Sequence, residues 1–346
     1  MTAEWPAHEL DHLGACPVCG TASRRVIDTS LRSTSGPGGW TLWRCRGCDC
    51  GYIDPRPTSE SIDRLYRTYY THEPTIELEP AAKTDTRTRL LESYLGARFG
   101  YTSATRSTVG RFVVPLIPGA RGMAGQHVRS LPSRRVPGRL LDVGCGNGSF
   151  LLRMRELGWH VEGLEVDPVA AGVARGSAVN VDPGPMTMST FPSAHFDAIT
   201  LSHVIEHLHD PVAVLQACAN ALRPGGLIWV ATPNLDAAGR RFMGRTWAPL
   251  DPPRHLVLFT RPSLRRALNM AGFSSISEPP PTLQATRWTF GASLDIADGG
   301  DGHTIRRLPA RIRLRALSAD LATIATRTAS EEVCMMAMRR GEWPAC

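Results

Sequence analysis

The second half of the chain alternates between short apolar runs and longer amphipathic stretches. Runs dominated by apolar residues, over 140–143, 196–202 and 227–231, predict buried strands. Between the last two, residues 212–222 carry apolar side chains at helical spacing, and Asp210-Pro211 before them is typical of a helix N-terminus. Strands that alternate with helices in this way predict a doubly wound α/β domain, in which a mostly parallel sheet carries helices on both faces.

The rest of the chain is arranged around that domain. Residues 1–57 contain four paired cysteines and are interpreted as a small N-terminal module. Residues 58–137 predict a helical lid or linker region. Ser61 to Tyr70 and Arg89 to Phe99 have the apolar spacing of short helices, and residues 115–138, rich in Pro, Gly and Arg, predict a mobile linker or lid. Residues 138–346 form the α/β domain, with an insertion over 279–330. The domain ends in two predicted strands, over residues 273–278 and 332–338.

A glycine-rich turn follows the first strand of the α/β domain. Residues 140–148 read Leu-Leu-Asp-Val-Gly-Cys-Gly-Asn-Gly, which predicts a strand, a tight turn and the start of a helix. Glycines at alternate positions allow positive φ and let a ligand approach the main chain closely. N–H groups at the start of the helix, predicted over Ser149 to Leu157, would point at that ligand. No Gly-Lys-Ser/Thr follows, so the turn is not a triphosphate-binding loop.

Four motifs in sequence order resemble the class I S-adenosylmethionine-dependent methyltransferases. They are Asp142 to Gly148, Val161 to Pro168, Phe196 to Ser202, and Leu222 to Val230. The resemblance implies a seven-stranded Rossmann-like sheet whose last two strands form an antiparallel hairpin at one edge. It also implies S-adenosylmethionine as the cofactor.

The residues expected to hold that cofactor lie where strands end, because ligands of open parallel sheets bind at the carboxyl ends of the strands. Gly144 and Gly146 would line the methionine portion. Asp142 would orient the turn or accept a hydrogen bond from the cofactor's ammonium group. Glu165 would accept from both ribose hydroxyls, with Asp167 as the alternative acid. The full predicted set is Asp142, Gly144, Cys145, Gly146, Glu165, Val166, Ser202 and His203.

Two Cys-x-x-Cys pairs mark the N-terminal module. Cys16 pairs with Cys19 and Cys45 with Cys48, each on a turn that contains or precedes a glycine. Four thiolates suit a tetrahedral structural zinc site, and two such pairs argue against a thioredoxin-like redox motif. The sequence therefore predicts a zinc ribbon in which the metal supplies folding energy. Cys50 is interpreted as a bystander.

A cluster of histidines follows the fourth strand, where methyl acceptors sit in the resembled fold. His203, Glu206 and His207 stand at i, i+3 and i+4, so one helical turn would bring them together. His-x-x-Glu-His is also a signature of inverted zinc peptidases, but the surrounding motifs exclude that fold. His255, in Pro253-Arg-His-Leu, is expected to join the cluster.

Three interpretations of this cluster stay open. In the preferred one, His203 or His207 is a general base that deprotonates an acceptor hydroxyl. In the second, the cluster binds a second divalent metal that lowers the pKa of the hydroxyl. The cluster resembles those of enzymes that O-methylate ubiquinone precursors or small-RNA 2′-hydroxyls, and that resemblance implies such a metal. In the third, the histidines are structural. The candidate catalytic residues are His203, Glu206, His207 and His255.

Residues 244–260 resemble a subgroup of these methyltransferases, many of which carry an N-terminal zinc ribbon and act on secondary metabolites, cell-surface sugars or quinones. Trp247 and Arg254 in this segment are expected to face the acceptor pocket, with simple core packing as the alternative for Trp247. The preferred function is O-methylation of a small-molecule acceptor. Alternatives are a C-methyltransferase on a sugar nucleotide, a metal-assisted RNA 2′-O-methyltransferase, and a binding module without turnover.

Composition and charge limit the partners. The chain has 346 residues, a formal net charge of +7 and a pI of about 9.1, with arginines concentrated over 87–139 and 306–315. Such a charge can attract nucleic acid, anionic lipid or an acidic substrate, but the aromatic and basic residues do not interleave in the way that a single-strand binding groove would need, so a nucleic-acid partner is not favoured. No apolar run approaches the ~18 residues of a membrane span, and the N-terminus lacks a secretion signal. We therefore expect a cytoplasmic protein, and a homodimer stays open.

Overall fold

One large sheet and two small ones form the β-structure of the computed structural model, which describes residues 5–33, 36–66, 86–101, 108–133, 137–177 and 179–340. The strands are β1 (Leu10–Asp11), β2 (Arg24–Arg32), β3 (Gly39–Cys45), β4 (Gly51–Ile53), β5 (Arg56–Pro57), β6 (Arg139–Val143), β7 (His160–Glu165), β8 (Asn180–Pro183), β9 (Phe196–Ser202), β10 (Leu222–Pro233), β11 (Val257–Leu258), β12 (Phe273–Ser277) and β13 (Glu332–Arg339). The helices are α1 (Thr86–Phe99), α2 (Gly110–Val113), α3 (Ala120–His127), α4 (Ser149–Glu156), α5 (Pro168–Gly176), α6 (Pro211–Ala221), α7 (Ala238–Met243), α8 (Arg261–Met270), α9 (Gln284–Ala297) and α10 (Ala310–Thr326).

The large sheet has seven strands in the order β12-β13-β10-β9-β6-β7-β8. Strands β10, β9, β6, β7 and β8 run parallel, and β13 is antiparallel to both of its neighbours. The predicted Rossmann-like sheet with an antiparallel pair at one edge is confirmed. Since the carboxyl ends of the parallel strands meet at one edge, the loops after β6, β7, β9 and β10 lie close together and can form one site.

Local sequence signals set most element boundaries. Helix α6 begins as predicted, because Asp210 accepts a hydrogen bond from the Ala213 N–H at 2.9 Å. Helix α8 begins at Arg261 rather than at the predicted Ser263. The reason is a reciprocal cap, in which the Thr260 and Ser263 side chains each accept from the other residue's backbone N–H. Strand β10 is also longer than predicted and includes the Pro-Gly-Gly turn.

Residues 115–138, rich in Pro, Gly and Arg, are the segment for which a mobile linker or lid is predicted, and its described part packs against the sheet. It contains α3, and Val128 and Leu131 are fully buried against Leu140 and Trp159. These apolar residues anchor the segment to the sheet. A short helix predicted over residues 61–70 is a 3-10 helix over Ile62–Tyr66, and residues 67–70 lie outside the described part. The domain boundaries at 57 and 137 stay predictions.

The N-terminal module shares a sheet with the methyltransferase-like domain. Its four-stranded sheet has the order β11-β4-β3-β2, and β11 comes from residues 257–258. Leu42 and Ile53 of the module lie in one apolar core with Val257 and Phe259. The module therefore gains core packing from the larger domain, in addition to stabilisation by any metal that it binds. Among the described residues, no helix is long and apolar enough to cross a membrane.

Candidate active site

The glycine turn lies against the end of β7. The N–H groups of Gly144 and Cys145 donate to the Leu164 carbonyl at 2.7 and 3.2 Å. Gly144 has a φ of +69°, and a Cβ there would lie 2.4 Å from Val204 Cγ2, so no other residue fits without displacement. The Gly146 N–H donates to Glu165 Oε2 at 2.8 Å. These hydrogen bonds therefore hold the glycine turn and the carboxylate at the end of β7 in a fixed arrangement.

Glu165 is well placed for the predicted ribose contact. It is 9% exposed, and its second oxygen accepts from the Asp167 N–H at 3.0 Å. Burial raises the pKa of Glu165. Asp167, the alternative acid, instead caps α5 by accepting from the Val169 N–H at 2.8 Å. Of the other predicted cofactor residues, Cys145 is buried and Val166 is 69% exposed.

Asp142 is paired with an arginine that the sequence did not single out. The Asp142 carboxylate is 1% exposed and forms an ion pair with Arg129, while the Thr200 hydroxyl donates to it at 2.8 Å. The Arg129 guanidinium lies 3.7 Å from the centroid of the Phe150 ring. Asp142 Oδ2 is buried without a hydrogen-bond partner. That oxygen suits the predicted contact with a cofactor ammonium, because a buried acceptor gains most from a charged donor.

His203 follows β9 in the left-handed region, with φ of +54°. Its Nδ1 lies 3.3 Å from Glu206 Oε1 and its Nε2 lies 2.9 Å from Glu332 Oε1. Desolvation lowers the pKa of His203, but the hydrogen bonds to the two glutamates raise it well above its ordinary value. A histidine engaged at both nitrogens in this way is an imidazolium at neutral pH, so His207 is the better candidate base of the two.

His207 and His255 lie against each other, with ring centroids 4.7 Å apart. His207 Nδ1 is 3.0 Å from the Arg254 carbonyl, and His255 Nδ1 is 2.8 Å from the Pro249 carbonyl. Because a carbonyl only accepts, both Nδ1 atoms must donate, and each Nε2 then carries the lone pair. Desolvation lowers the pKa of His207 to about 4, and the neighbouring His255 adds to this.

Glu206 completes the cluster. It is fully buried, its Oε2 accepts from the Thr232 hydroxyl at 3.0 Å, and its Oε1 lies 3.3 Å from His203 Nδ1. Burial opposes ionisation of Glu206, but the adjacent histidines lower its pKa to about 2. Ligand atoms of Glu206, His207 and His255 all lie within 4.8 Å of one another. The set fits a divalent metal, because imidazoles that bind metals commonly donate their other N–H to a carbonyl.

The N-terminal module holds His255 in position. The Leu256 N–H donates to the Glu206 carbonyl at 2.8 Å, and the Leu256 carbonyl accepts from the Ile53 N–H at 3.0 Å. Strand β11 then pairs with β4, with Val257 opposite Tyr52. His255 joins Glu206 as expected, and the support that β4 gives to this contact is a long-range pairing that no local pattern could predict.

The four predicted zinc ligands converge in that module. The Sγ atoms of Cys16, Cys19, Cys45 and Cys48 lie within 4.8 Å of one another. The Val18 and Gly47 N–H groups donate to the Sγ atoms of Cys16 and Cys45 at 3.4 and 3.2 Å. Cys50 is also fully buried, with its Sγ 3.3 Å from that of Cys16. The four predicted thiols can hold a tetrahedral metal, and a fifth lies beside them.

A cavity of about 840 Å³ opens beside the histidine cluster. Its lining includes His203, His207, Asp251, His255, Glu331 and Glu332. Trp247 and Arg254, which were expected to face the acceptor pocket, do not line this cavity and instead hold its acidic residues. The Trp247 indole donates to Glu331 Oε2 at 2.8 Å, and Arg254 forms a two-pronged ion pair with Asp251 at 2.8 and 3.0 Å. Glu331, which the sequence did not indicate, is 2% exposed, and burial raises its pKa to about 7.

The parallel sheet, the glycine turn and the acid after β7 define the class I S-adenosylmethionine-dependent methyltransferases. Comparison with known proteins agrees, because residues 120–278 match a family described as a methyltransferase domain. The fold and this match therefore agree on a class I methyltransferase domain within the chain.

Similar proteins include curated enzymes named ubiquinone biosynthesis O-methyltransferase. The one from Aromatoleum aromaticum is 34% identical over 150 residues, which is 40% of this chain and 64% of the relative. That from Xanthomonas campestris pv. campestris is 37% identical over 107 residues, 29% of this chain and 45% of the relative. The matched region thus spans about half to two thirds of these relatives.

Solved structures with a similar arrangement share little sequence. The [4+2]-cyclase SpnF is 20% identical at a TM-score of 0.46, over 83% of this chain and 98% of that chain. An S-adenosylmethionine-dependent methyltransferase from Archaeoglobus fulgidus is 17% identical at a TM-score of 0.44, over 63% and 94%. At these scores neither neighbour informs the function of this chain.

Proposed function

We propose that this chain transfers a methyl group from S-adenosylmethionine to a hydroxyl oxygen of a small-molecule acceptor bound in the cavity. The observation that carries the proposal is the buried Glu206–His207–His255 cluster, which opens into the cavity beside the carboxyl ends of β9 and β10. Relatives named for O-methylation in ubiquinone biosynthesis support an oxygen acceptor. Quinone-like, sugar and secondary-metabolite hydroxyls are the acceptor classes to test.

The residues that would hold the cofactor fit its groups. Gly144 and Gly146 adopt the positive φ angles of the turn that would face the methionine portion, Asp142 Oδ2 offers a buried acceptor to the ammonium, and Glu165 offers its carboxylate to the ribose. When bound, the sulfonium supplies an activated methyl group, so no covalent enzyme intermediate is needed. The protein's contribution is to align the acceptor oxygen with the methyl carbon and to remove the proton.

His207 is the residue we assign to proton removal. Its Nε2 carries a lone pair, and the Arg254 carbonyl holds the ring in that tautomer. A proton taken from the acceptor hydroxyl would form an imidazolium, which the Glu206 carboxylate stabilises. Glu206 would therefore position and charge-balance the base.

A divalent metal at the same cluster is the second candidate mechanism. It is favoured by the ligand atoms of Glu206, His207 and His255, which lie within 4.8 Å of one another, and by the two imidazoles whose Nδ1 atoms are held by carbonyls. Such an ion would lower the pKa of the acceptor hydroxyl. Two nitrogens and one carboxylate oxygen suit zinc, manganese or iron better than magnesium, which prefers oxygen ligands.

The first experiment measures formation of S-adenosylhomocysteine by mass spectrometry with a panel of hydroxylated acceptors. His207→Gln should abolish turnover with cofactor binding retained. His160→Gln, at an exposed site away from the cluster, is the matched control. The same activity is measured after dialysis against a chelator and again after addition of single metals. This comparison distinguishes base catalysis from metal-assisted catalysis. Full activity of both His207→Gln and Glu206→Gln would refute the assignment.

We also propose that Cys16, Cys19, Cys45 and Cys48 hold one structural zinc ion. The support is the convergence of the four Sγ atoms and the two backbone N–H groups aimed at them. Its test is elemental analysis of the purified protein, with one zinc per chain as the expected result. The prediction of a cytoplasmic location and the open question of a homodimer need separate experiments.

A further inference from the structure

Three basic side chains from three different helices line the cavity. They are Arg87 of α1, His127 of α3 and Arg153 of α4, and we call them the basic wall. The same cavity contains His207 and His255 of the proposed reaction site. A ligand bound in the cavity would therefore contact both the proposed reaction site and these basic side chains.

The basic wall offers hydrogen-bond donors. Arg153 Nη1 lies 2.8 Å from His127 Nδ1, and because a guanidinium only donates, Nδ1 must be the acceptor. The remaining nitrogen of neutral His127 then carries the proton and is itself a donor. Desolvation and the charges of Arg153 and Arg87 lower the pKa of His127, and desolvation lowers the pKa of Arg153. His127 and Arg153 are thus partly withdrawn from water, whereas Arg87 is exposed and adds a positive charge nearby.

The carboxylates of the cavity are engaged elsewhere. Asp251 is paired with Arg254, Glu331 accepts from the Trp247 indole, and Glu332 is bound to His203. Within the described ranges, no carboxylate forms an ion pair with Arg153 or Arg87. Burial lowers the pKa of Arg153 although the charge of nearby Glu156 raises it, so the acid offsets only part of the cost of burying this cation, and an anionic ligand would remove more of that cost.

We propose that the basic wall binds an anionic group, a carboxylate or a phosphate, carried by the methyl acceptor. This rests on the proposed function, because it places the acceptor's hydroxyl at His207 and its anionic group at Arg153 within one cavity. The carboxylate of the cofactor is the other anionic group that the basic wall could bind. The acceptor is favoured because, of the predicted cofactor residues, only His203 lines the cavity, whereas the glycine turn and Glu165 do not.

The test uses isothermal titration calorimetry with pyrophosphate as the anionic probe, in the presence of saturating S-adenosylhomocysteine. Arg153→Gln should weaken pyrophosphate binding at least about tenfold, with Arg153→Lys intermediate, because a guanidinium binds oxyanions through paired donors. Arg155→Gln is the matched control, since it lies on the same helix at an exposed position outside the cavity lining. Circular dichroism and thermal melting confirm that each variant is folded. Arg87→Gln, at the start of α1, should weaken pyrophosphate binding without touching α4.

Each outcome decides between the alternatives. Unchanged pyrophosphate affinity in Arg153→Gln and Arg87→Gln would overturn the proposal. A second outcome would also overturn it. If Arg153→Gln weakens binding of S-adenosylhomocysteine but not of 5′-methylthioadenosine, which lacks the carboxylate, then the basic wall binds the carboxylate of the cofactor. If the wild-type protein fails to bind S-adenosylhomocysteine at all, the proposed function fails. Binding of pyrophosphate alone is then measured separately.

Discussion

The ion pair between Arg129 and Asp142 connects the segment before the sheet to the glycine turn, and replacing Arg129 with Met should reveal its contribution. The substitution keeps most of the side-chain volume but leaves the Asp142 carboxylate, 1% exposed, without its cation. Removing one partner of a buried pair costs about 3–5 kcal/mol, because the remaining charge stays desolvated. For a chain of this size we expect a fall in Tm on the order of 5–10 °C.

The penalty should depend on pH in a defined direction. Burial raises the pKa of Asp142 in the folded protein even with Arg129 present, and loss of the arginine would raise it further. A carboxyl whose folded pKa lies above its unfolded pKa binds more protons when folded, so stability falls as pH rises through that window. Arg129→Met should therefore be closest to wild type at low pH and lose more stability as the pH rises.

A double-mutant cycle with Asp142→Asn provides the assay. Urea unfolding followed by tryptophan fluorescence gives the free energy of unfolding of each variant, and the double variant should cost clearly less than the sum of the two singles. Arg223→Met is the control, since its ion pair with Asp197 is half-exposed and should contribute about 0–1 kcal/mol. A cost below about 1 kcal/mol for Arg129→Met, or additivity of the two single changes, would refute the reasoning.

The remaining predictions concern the cysteine module and the cavity wall. Cys45→Ser should lose zinc. Because the module positions His255, the same variant should also lose methyl transfer while S-adenosylhomocysteine still binds. Cys50→Ser should keep its zinc, and elemental analysis measures the zinc content of both variants. Trp247→Phe should cost about 1–3 kcal/mol in urea unfolding, since it removes a donor to buried Glu331; an unchanged midpoint would contradict this. Because the Glu331 pKa is raised to about 7, wild-type stability should fall by on the order of 2–3 kcal/mol as pH rises from ~4.5 to ~7. Glu331→Gln should lack that decline in pH-dependent melting.

Much of the cofactor edge could be predicted from the sequence because its contacts are local. Gly144, Gly146 and Glu165 belong to short motifs, and the turn they form depends on positive φ angles and on hydrogen bonds to the adjacent strand. The strand over residues 196–202 and the helix starting after Asp210 follow from apolar runs and a capping residue in the same way. These signals depend only on residues that are close in sequence, so they can be recognised without knowledge of the fold.

Histidine roles and supporting partners depended on long-range contacts. His203 and His207 have the same residue type and lie four positions apart, but Glu332 engages only His203, whereas the Arg254 carbonyl holds His207. Arg129 lies in a segment whose composition resembles a linker, and its function appears only where it meets Asp142.

What the sequence by itself determined is the class of fold, the cofactor turn and the cysteine set, because periodicity, glycine conformations and metal-ligand spacing act over a few residues. Only the tertiary structure decided which histidine keeps a lone pair, which carboxylates are already engaged, and that a strand of the cysteine module holds His255. Burial and charge pairing set those properties, and both arise between residues that the chain brings together from up to about 200 positions apart, as with Ile53 and Leu256.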